Sequence, residues 1–220
     1  MYGFNLLTTV ALFGLAHAGD KIEFGPSFLV MSTASTWIKE GKTTLILPET
    51  PSPQVERLAI WPGMETSNGN LIQAIAVSFE NPAATLQDTQ ISGEMVPASP
   101  SDRINMHYIY NDSTGEYDQS AAINGEIAGS YLTITGSGQA QRWDVAVECQ
   151  VDACTRRSPS HKYVDTTVIL NEANPDWSQG LYTKWSTNSG LQSTDGGKTW
   201  TVSTIELNSH LYDESDIQYD

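Results

Sequence analysis

The sequence predicts an all-β protein, built as a single antiparallel β-sandwich. Short runs rich in β-branched and aromatic residues recur along the 220-residue chain, and clusters of Gly, Pro, Asn and Asp separate them. Such spacing of short strands is typical of sandwiches and barrels. No long segment follows the helical period, and all-β domains of this length commonly form one unit.

The predicted strands follow one another with turn residues between them. The segment at 71–79 is the clearest, because Leu71, Gln73 and Ile75 alternate with its other residues and therefore share one side of a strand. Gln73 is the polar member of that side, which also holds Val77 and Phe79. The further predicted strands lie at 43–47, 104–110, 131–135, 143–147 and 166–170.

Residues 1–18 have the features of a signal peptide. The run from 6 to 15 is largely apolar, and Ala16-His17-Ala18 has the small-x-small form of a cleavage site. The run is too short to span a hydrocarbon core of about 30 Å. We therefore expect secretion to the extracellular space, a mature chain beginning at Gly19, and a sandwich domain over residues 19–211.

The charge of the chain is strongly negative, with 26 acidic against 11 basic side chains and a formal net charge of −15. This balance disfavours nucleic acid and anionic membranes as partners. The last nine residues, 212–220, are especially acidic and are predicted to form a solvated tail.

Two cysteines and one asparagine carry predicted modifications. Cys149 and Cys154 are expected to form a disulfide, because oxidising compartments favour pairing and the sequence offers no second ligand pair for zinc. Asn111-Asp112-Ser113 has the form of an N-glycosylation acceptor. The sequence indicates no metal site and no cofactor.

Several segments together resemble a known family. Residues 44–52 lead to Trp61-Pro62-Gly63, and the strand carrying Gln73 follows. Residues 124–134 and 166–172 supply two weaker matches. Taken over residues 43–175, the chain resembles the fungal glutamic peptidases, or eqolisins.

The resemblance implies a concanavalin-A-like jelly roll whose concave sheet holds a catalytic pair. Gln73 would be the catalytic amide, Glu172 the catalytic carboxylate, and Trp61 would lie beside the substrate. When the segment is aligned to the family without a gap, Asn171 rather than Glu172 meets the position of the catalytic glutamate. Both residues therefore remain candidates for that position. We expect Trp61 close to Gln73, with the aromatic side chain of Tyr108 or Tyr110 opposite.

The sequence thus favours a secreted, acid-acting hydrolase of polypeptides, with two alternatives. One is a non-catalytic protein that binds a neutral glycan or a small apolar ligand on the concave sheet. The other is a non-hydrolytic enzyme, either a secondary-metabolite cyclase or a polysaccharide lyase. A lyase would use His107, Tyr108, Tyr110 and Arg142 as its candidate site residues. The negative net charge argues against a lyase that acts on polyanions.

Overall fold

The structure is a computed structural model that describes residues 4–12, 22–32, 36–52, 57–79, 90–92, 95–150, 157–212 and 217–218. A short 3-10 helix at Trp177–Gly180 interrupts an otherwise all-strand succession. The strands are β1 Phe4–Leu12, β2 Ile22–Met31, β3 Ile38–Ile46, β4 Arg57–Thr66, β5 Asn70–Phe79, β6 Gln90–Ser92, β7 Val96–Ala98, β8 Arg103–Asn111, β9 Glu116–Ile123, β10 Glu126–Ile134, β11 Ala140–Gln150, β12 Arg157–Ser158, β13 His161–Leu170, β14 Leu181–Lys184, β15 Ser186–Asn188, β16 Thr199–Leu207, β17 His210–Leu211 and β18 Ile217–Gln218.

Apart from the small separate pair β12–β17, the strands form two antiparallel layers. In sheet I, β2 pairs with β14, β18 and β11, and the order continues through β4, β5 and β1 to β6 and β7. Sheet II has the order β10-β9-β8-β3-β13-β16-β15. Among the residues that the structure describes, one backbone pair, Ala140 with Ile38, joins the two sheets. The predicted single antiparallel β-sandwich is confirmed.

The main core lies between the sheets and contains large aromatic side chains. Trp143 of sheet I and Tyr108, Tyr117 and Tyr163 of sheet II are all fully buried there. The hydroxyl of Tyr117 accepts a hydrogen bond from the N–H of Ala140, 3.0 Å away, and donates one to the carbonyl of Ile38. The aromatic core thus reaches the backbone where the sheets join.

A second apolar cluster covers the outer face of sheet I. On β5, Ile72, Ala74 and Ala76 point into the main core, whereas the intervening apolar residues join the outer cluster. Burial on both faces explains the nearly continuous apolar sequence of this strand. The outer cluster consists of Ala59, Trp61, Leu71, Ile75, Val77 and Ala146.

The two ends of the chain differ from a simple tail-and-leader organisation. Part of the predicted signal peptide forms β1, which lies between β5 on one side and β6 and β7 on the other. Its remaining residues are outside the described ranges, and cleavage stays a prediction. In the predicted acidic tail, Tyr212 is buried and Ile217–Gln218 pairs with β2, so the sandwich continues beyond residue 211. No helix in the described part of the chain could cross a membrane.

Candidate active site

Two polar side chains lie in one cross-strand row on the outer face of sheet I. Gln73 on β5 pairs with Gly63 on β4, and Gly63 pairs with Asp144 on β11. The side chains of Gln73 and Asp144 share this face, because their neighbours in sequence point into the main core. Two strand spacings separate their Cα atoms by about 10 Å. The row therefore holds an amide and a carboxyl group facing the same space.

Gly63 keeps the middle of this row open. A Cβ at this position would lie 3.2 Å from the Cβ of Gln73 and 2.9 Å from the carbonyl oxygen of Ile72. Either approach would force a shift in β5. Glycine thus permits the close contact between β4 and β5, and it leaves no side chain between the amide and the carboxyl group.

An ion-pair chain fixes the carboxyl end of the row. Arg142 Nε donates to Asp144 Oδ2 at 2.5 Å, and Nη1 of the same guanidinium lies 2.6 Å from Glu65 Oε2. Asp144 is 3% exposed, and this burial raises the pKa of its carboxyl group to about 6, although the Arg142 guanidinium acts to lower it. The carboxyl group can therefore gain or lose a proton under mildly acidic conditions.

The amide end of the row has unused hydrogen-bonding capacity. Gln73 is 3% exposed, and its Oε1 finds no hydrogen-bond partner within the described ranges. The same is true of Nε1 of Trp61, on the same face of sheet I. A buried polar atom without a partner is costly, so these two atoms mark a place where a ligand could bind. From the core side, Gln119 Nε2 of β9 donates to the backbone carbonyl of Gln73 at 2.8 Å and anchors β5.

The structure does not bring Gln73 and Glu172 together. Glu172 follows β13 in sheet II and is exposed, whereas Gln73 lies in sheet I. Asn171 has a structural role: its Oδ1 accepts from the N–H of Trp37 at 2.7 Å, and its own N–H donates to the Trp37 carbonyl. The expected convergence of the amide with either residue is therefore not found, because the β13 end belongs to the opposite layer.

The three predicted binding residues of β8 also lie in sheet II. Tyr108 is fully buried, and its hydroxyl faces the backbone of β4 and β5 from inside the sandwich. Tyr110 is half-buried, with its ring centroid 4.7 Å from that of Trp37. His107 lies on the opposite face of β8, where Nε2 is 3.0 Å from Glu40 Oε1. None of them stands opposite Gln73 on the outer face, whereas Trp61 does share that face.

The remaining predicted sites stay predictions. Cys149 is buried and is not a free thiol, but Cys154 lies outside the described residues. Asn111 ends β8, and its Oδ1 accepts from the N–H and hydroxyl of Ser113. Among the described residues, no group of three or more His, Cys, Asp or Glu side chains could hold a metal ion.

Asp144 was not predicted from the sequence, although a signal for it exists. Residues 143–147 are recognisable as a strand with Trp143 and Val145 on one side. Arg142, Asp144 and Glu148 alternate with that side, and charged residues in such positions on an apolar strand mark a second, functional face.

Comparison with known proteins gives a limited result. No family model and no curated protein matches the chain. Among solved structures, the chain is similar to scytalido-glutamic peptidase with a peptide-based transition-state analogue: the TM-score is 0.48 at 13% identity, over 82% of this chain and 97% of that one. It is also similar to SCP-B, a member of the eqolisin family of peptidases, in a complex with the tripeptide Ala-Ile-His, with a TM-score of 0.47 and 12% identity over the same shares. At these values the similarity assigns neither function nor site residues.

Proposed function

We propose that the protein is a hydrolase that uses Gln73 and Asp144 as its catalytic pair. The observation that carries this proposal is the row Gln73-Gly63-Asp144, in which a buried amide and a buried carboxyl group flank a position without a side chain. No comparable pair includes Glu172, which lies in the other sheet.

The chemistry of such a pair suits the cleavage of an amide bond. Ionised Asp144 takes a proton from a water molecule, whose oxygen forms a bond to the carbonyl carbon. The amide N–H of Gln73 donates to the oxygen that becomes negatively charged. The carbon–nitrogen bond then breaks as Asp144 returns the proton to the leaving amine. Arg142 holds the carboxyl group in place through its 2.5 Å contact.

The proposed working range is mildly acidic to neutral. Because Asp144 must be ionised to act as a base and its pKa is about 6, activity rises with pH through this value. This proposal differs from the acid-acting hydrolase expected from the sequence, because the activity should decrease as the pH drops below about 6. Secretion remains part of the proposal and rests on the signal-peptide features of residues 1–18.

The test compares two carboxylates in one experiment. The secreted protein is screened between pH 4 and 8 with a library of fluorogenic peptides, and turnover is measured for Asp144→Asn, Gln73→Ala and the control Glu172→Gln. We expect Asp144→Asn to lower kcat by about 10² to 10⁴ and Gln73→Ala by about 10². Because Glu172 is exposed and in the other sheet, its variant should keep wild-type turnover.

The opposite pattern would identify Glu172 as the catalytic carboxylate and refute the proposed pair. Full turnover in all three variants would refute hydrolysis by this face. Urea unfolding of each variant controls for loss of the fold, and the nearly isosteric change at Asp144 limits that risk.

Binding of a small apolar ligand without catalysis is the second candidate. It is favoured by the unpaired Nε1 of Trp61 and Oε1 of Gln73, which lie on a face otherwise lined by apolar side chains such as Ile75. Such a site, with a few polar atoms among apolar walls, is typical of small-molecule binding. If this candidate is correct, Trp61→Phe should weaken binding of an apolar fluorescent probe. Neither the wild type nor Asp144→Asn should then show any turnover of the peptides.

A further inference from the structure

The strand β1 occupies a slot that is one strand wide. Along one edge it pairs with β5 from Phe4 opposite Ser78 to Leu12 opposite Asn70, which leaves out only Phe79 of that strand. Along its other edge, residues 9–11 pair with β6 and residues 4–6 pair with β7. A central position of this kind uses the main-chain groups on both edges of the strand.

Signal-peptide cleavage would empty this slot. Residues 1–18 contain all of β1, and cleavage after Ala18 therefore removes the strand between β5 and its neighbours. The strands β5, β6 and β7 are each antiparallel to β1, so β5 runs parallel to the other two across a gap of about 10 Å. The N–H and C=O groups of β5 that face this gap would lose their partners, which favours the addition of a new strand.

The side chains of β5 define what kind of strand fits. Ile72, Ala74 and Ala76 line the slot on the inner side, and Ile75 and Val77 line it on the outer side. The segment that fills the slot has the sequence FNLLTTVAL, which contains no charged residue and no proline. An occupant must therefore be extended, mostly apolar on both sides, and free of proline where it pairs.

We propose that the secreted chain binds an extended apolar peptide segment of another polypeptide in this slot, as an added antiparallel strand beside β5. The main chain of β5 supplies the hydrogen bonds, and the apolar residues on its two faces select the peptide. This function does not depend on hydrolysis, because it needs neither Asp144 nor Glu172. The peptide residue that takes the place of Thr9 is paired with Gln73, so a bound peptide directly contacts one member of the polar row.

The test uses the secreted protein and a synthetic peptide. Intact mass first establishes that the chain starts at Gly19. An acetylated and amidated peptide with the sequence of residues 4–12 is then titrated, while NMR follows the backbone amides of β5. The control peptide carries Thr8→Pro and Thr9→Pro. Successive N–H groups of a strand point to opposite edges, and two adjacent prolines therefore remove one donor on each side.

We expect the peptide to shift and protect the amides of residues 71–77, and the proline control to bind at least about tenfold more weakly. Equal binding of the two peptides, or no change in the β5 amides, would overturn the proposal. A secreted chain that still contains residues 4–12 would also overturn it, since β1 then stays in place. Peptide binding by a protein that shows no turnover in the fluorogenic-peptide screen would refute the proposed hydrolase and leave the slot proposal intact.

Discussion

Gly41 on β3 lies directly against the indole ring of Trp143 on β11. A Cβ at Gly41 would stand 2.4 Å from Cζ3 and 2.8 Å from Cε3 of this fully buried ring, well inside van der Waals contact. The two residues belong to different sheets, so the absent side chain sets how closely the layers approach at this point.

Gly41→Ala should therefore destabilise the fold by about 1–3 kcal/mol, the range for overpacking in a rigid core. The measurement is urea unfolding of the single variant, of Trp143→Phe and of the double variant. Because the smaller ring makes room for the added methyl group, the two changes should cost less together than the sum of their separate effects. Simple additivity would show that the contact does not limit packing.

The hydroxyl of Tyr108 replaces a missing ladder contact between β4 and β5. Pro62 has no N–H, and here Tyr108 donates to the Pro62 carbonyl at 2.7 Å and accepts from the N–H of Ala74 at 2.8 Å. Tyr108→Phe leaves both backbone groups unpaired and should cost about 2–4 kcal/mol. Tyr110→Phe, on the same strand, is the matched control and should cost under about 1 kcal/mol. Similar losses in both variants would contradict the bridging role.

The stability of the protein should change little between pH 4 and 6.5, because two buried groups act in opposite directions. Burial lowers the pKa of His161 to about 4, so the folded state loses about 3 kcal/mol as pH falls from 6.5 to 4. Burial raises the pKa of Asp144 to about 6, so the folded state loses about 3 kcal/mol as pH rises from 3.8 to 6. The two losses nearly cancel within their shared range.

Asp144→Asn removes one of these opposing contributions and should expose the other. Its free energy of unfolding should fall by about 3 kcal/mol between pH 6.5 and 4, while His161→Phe should show a fall in the reverse direction as pH rises. Urea unfolding at four pH values measures both slopes. Parallel profiles for wild type and the two variants would contradict the assigned burial effects.

The two charged neighbours of Asp144 should shift its titration in opposite directions. The Arg142 guanidinium lowers the pKa of Asp144 and the Glu65 carboxylate raises it. Arg142→Met should therefore raise the pKa above that of the wild type, and Glu65→Gln should lower it. Titration of the labelled Asp carboxyl carbon by NMR reports both changes. Shifts of the same sign would show that the variants act through rearrangement rather than through charge.

The sandwich could be predicted from local patterns, whereas the polar row could not. The alternation around Gln73 and the turn residues on either side of its strand are visible in the sequence. To predict the row, one would also have to know that β11 pairs with β4, about 80 residues away in the chain, and that Asp144 is in register with Gly63. Register of this kind arises from packing of the whole sheet, and a shift of one residue would turn Asp144 into the core.

Glu172 illustrates the same limit. Its place just after β13 follows from the β-branched run before it, but the sheet to which β13 belongs cannot be read from the sequence. The structure pairs β13 with β3 and β16, which places Glu172 in sheet II. The carboxylate chosen by resemblance, Glu172, therefore differs from the one in the row of Gln73, which is Asp144.

The pair Ala140–Ile38 makes the two layers one continuous hydrogen-bonded surface that folds back on itself. Because the Tyr117 hydroxyl of sheet II also accepts from the N–H of Ala140, sliding of one layer over the other would break two polar contacts at this corner, this hydrogen bond and the Ala140–Ile38 pair. The Tyr108 hydroxyl and the Gln119 amide join the layers at further points, through hydrogen bonds to the backbone of β4 and β5. Since Ala140 is held by both its strand partner and the Tyr117 hydroxyl, the backbone amides beside this corner should be among the slowest to exchange with solvent.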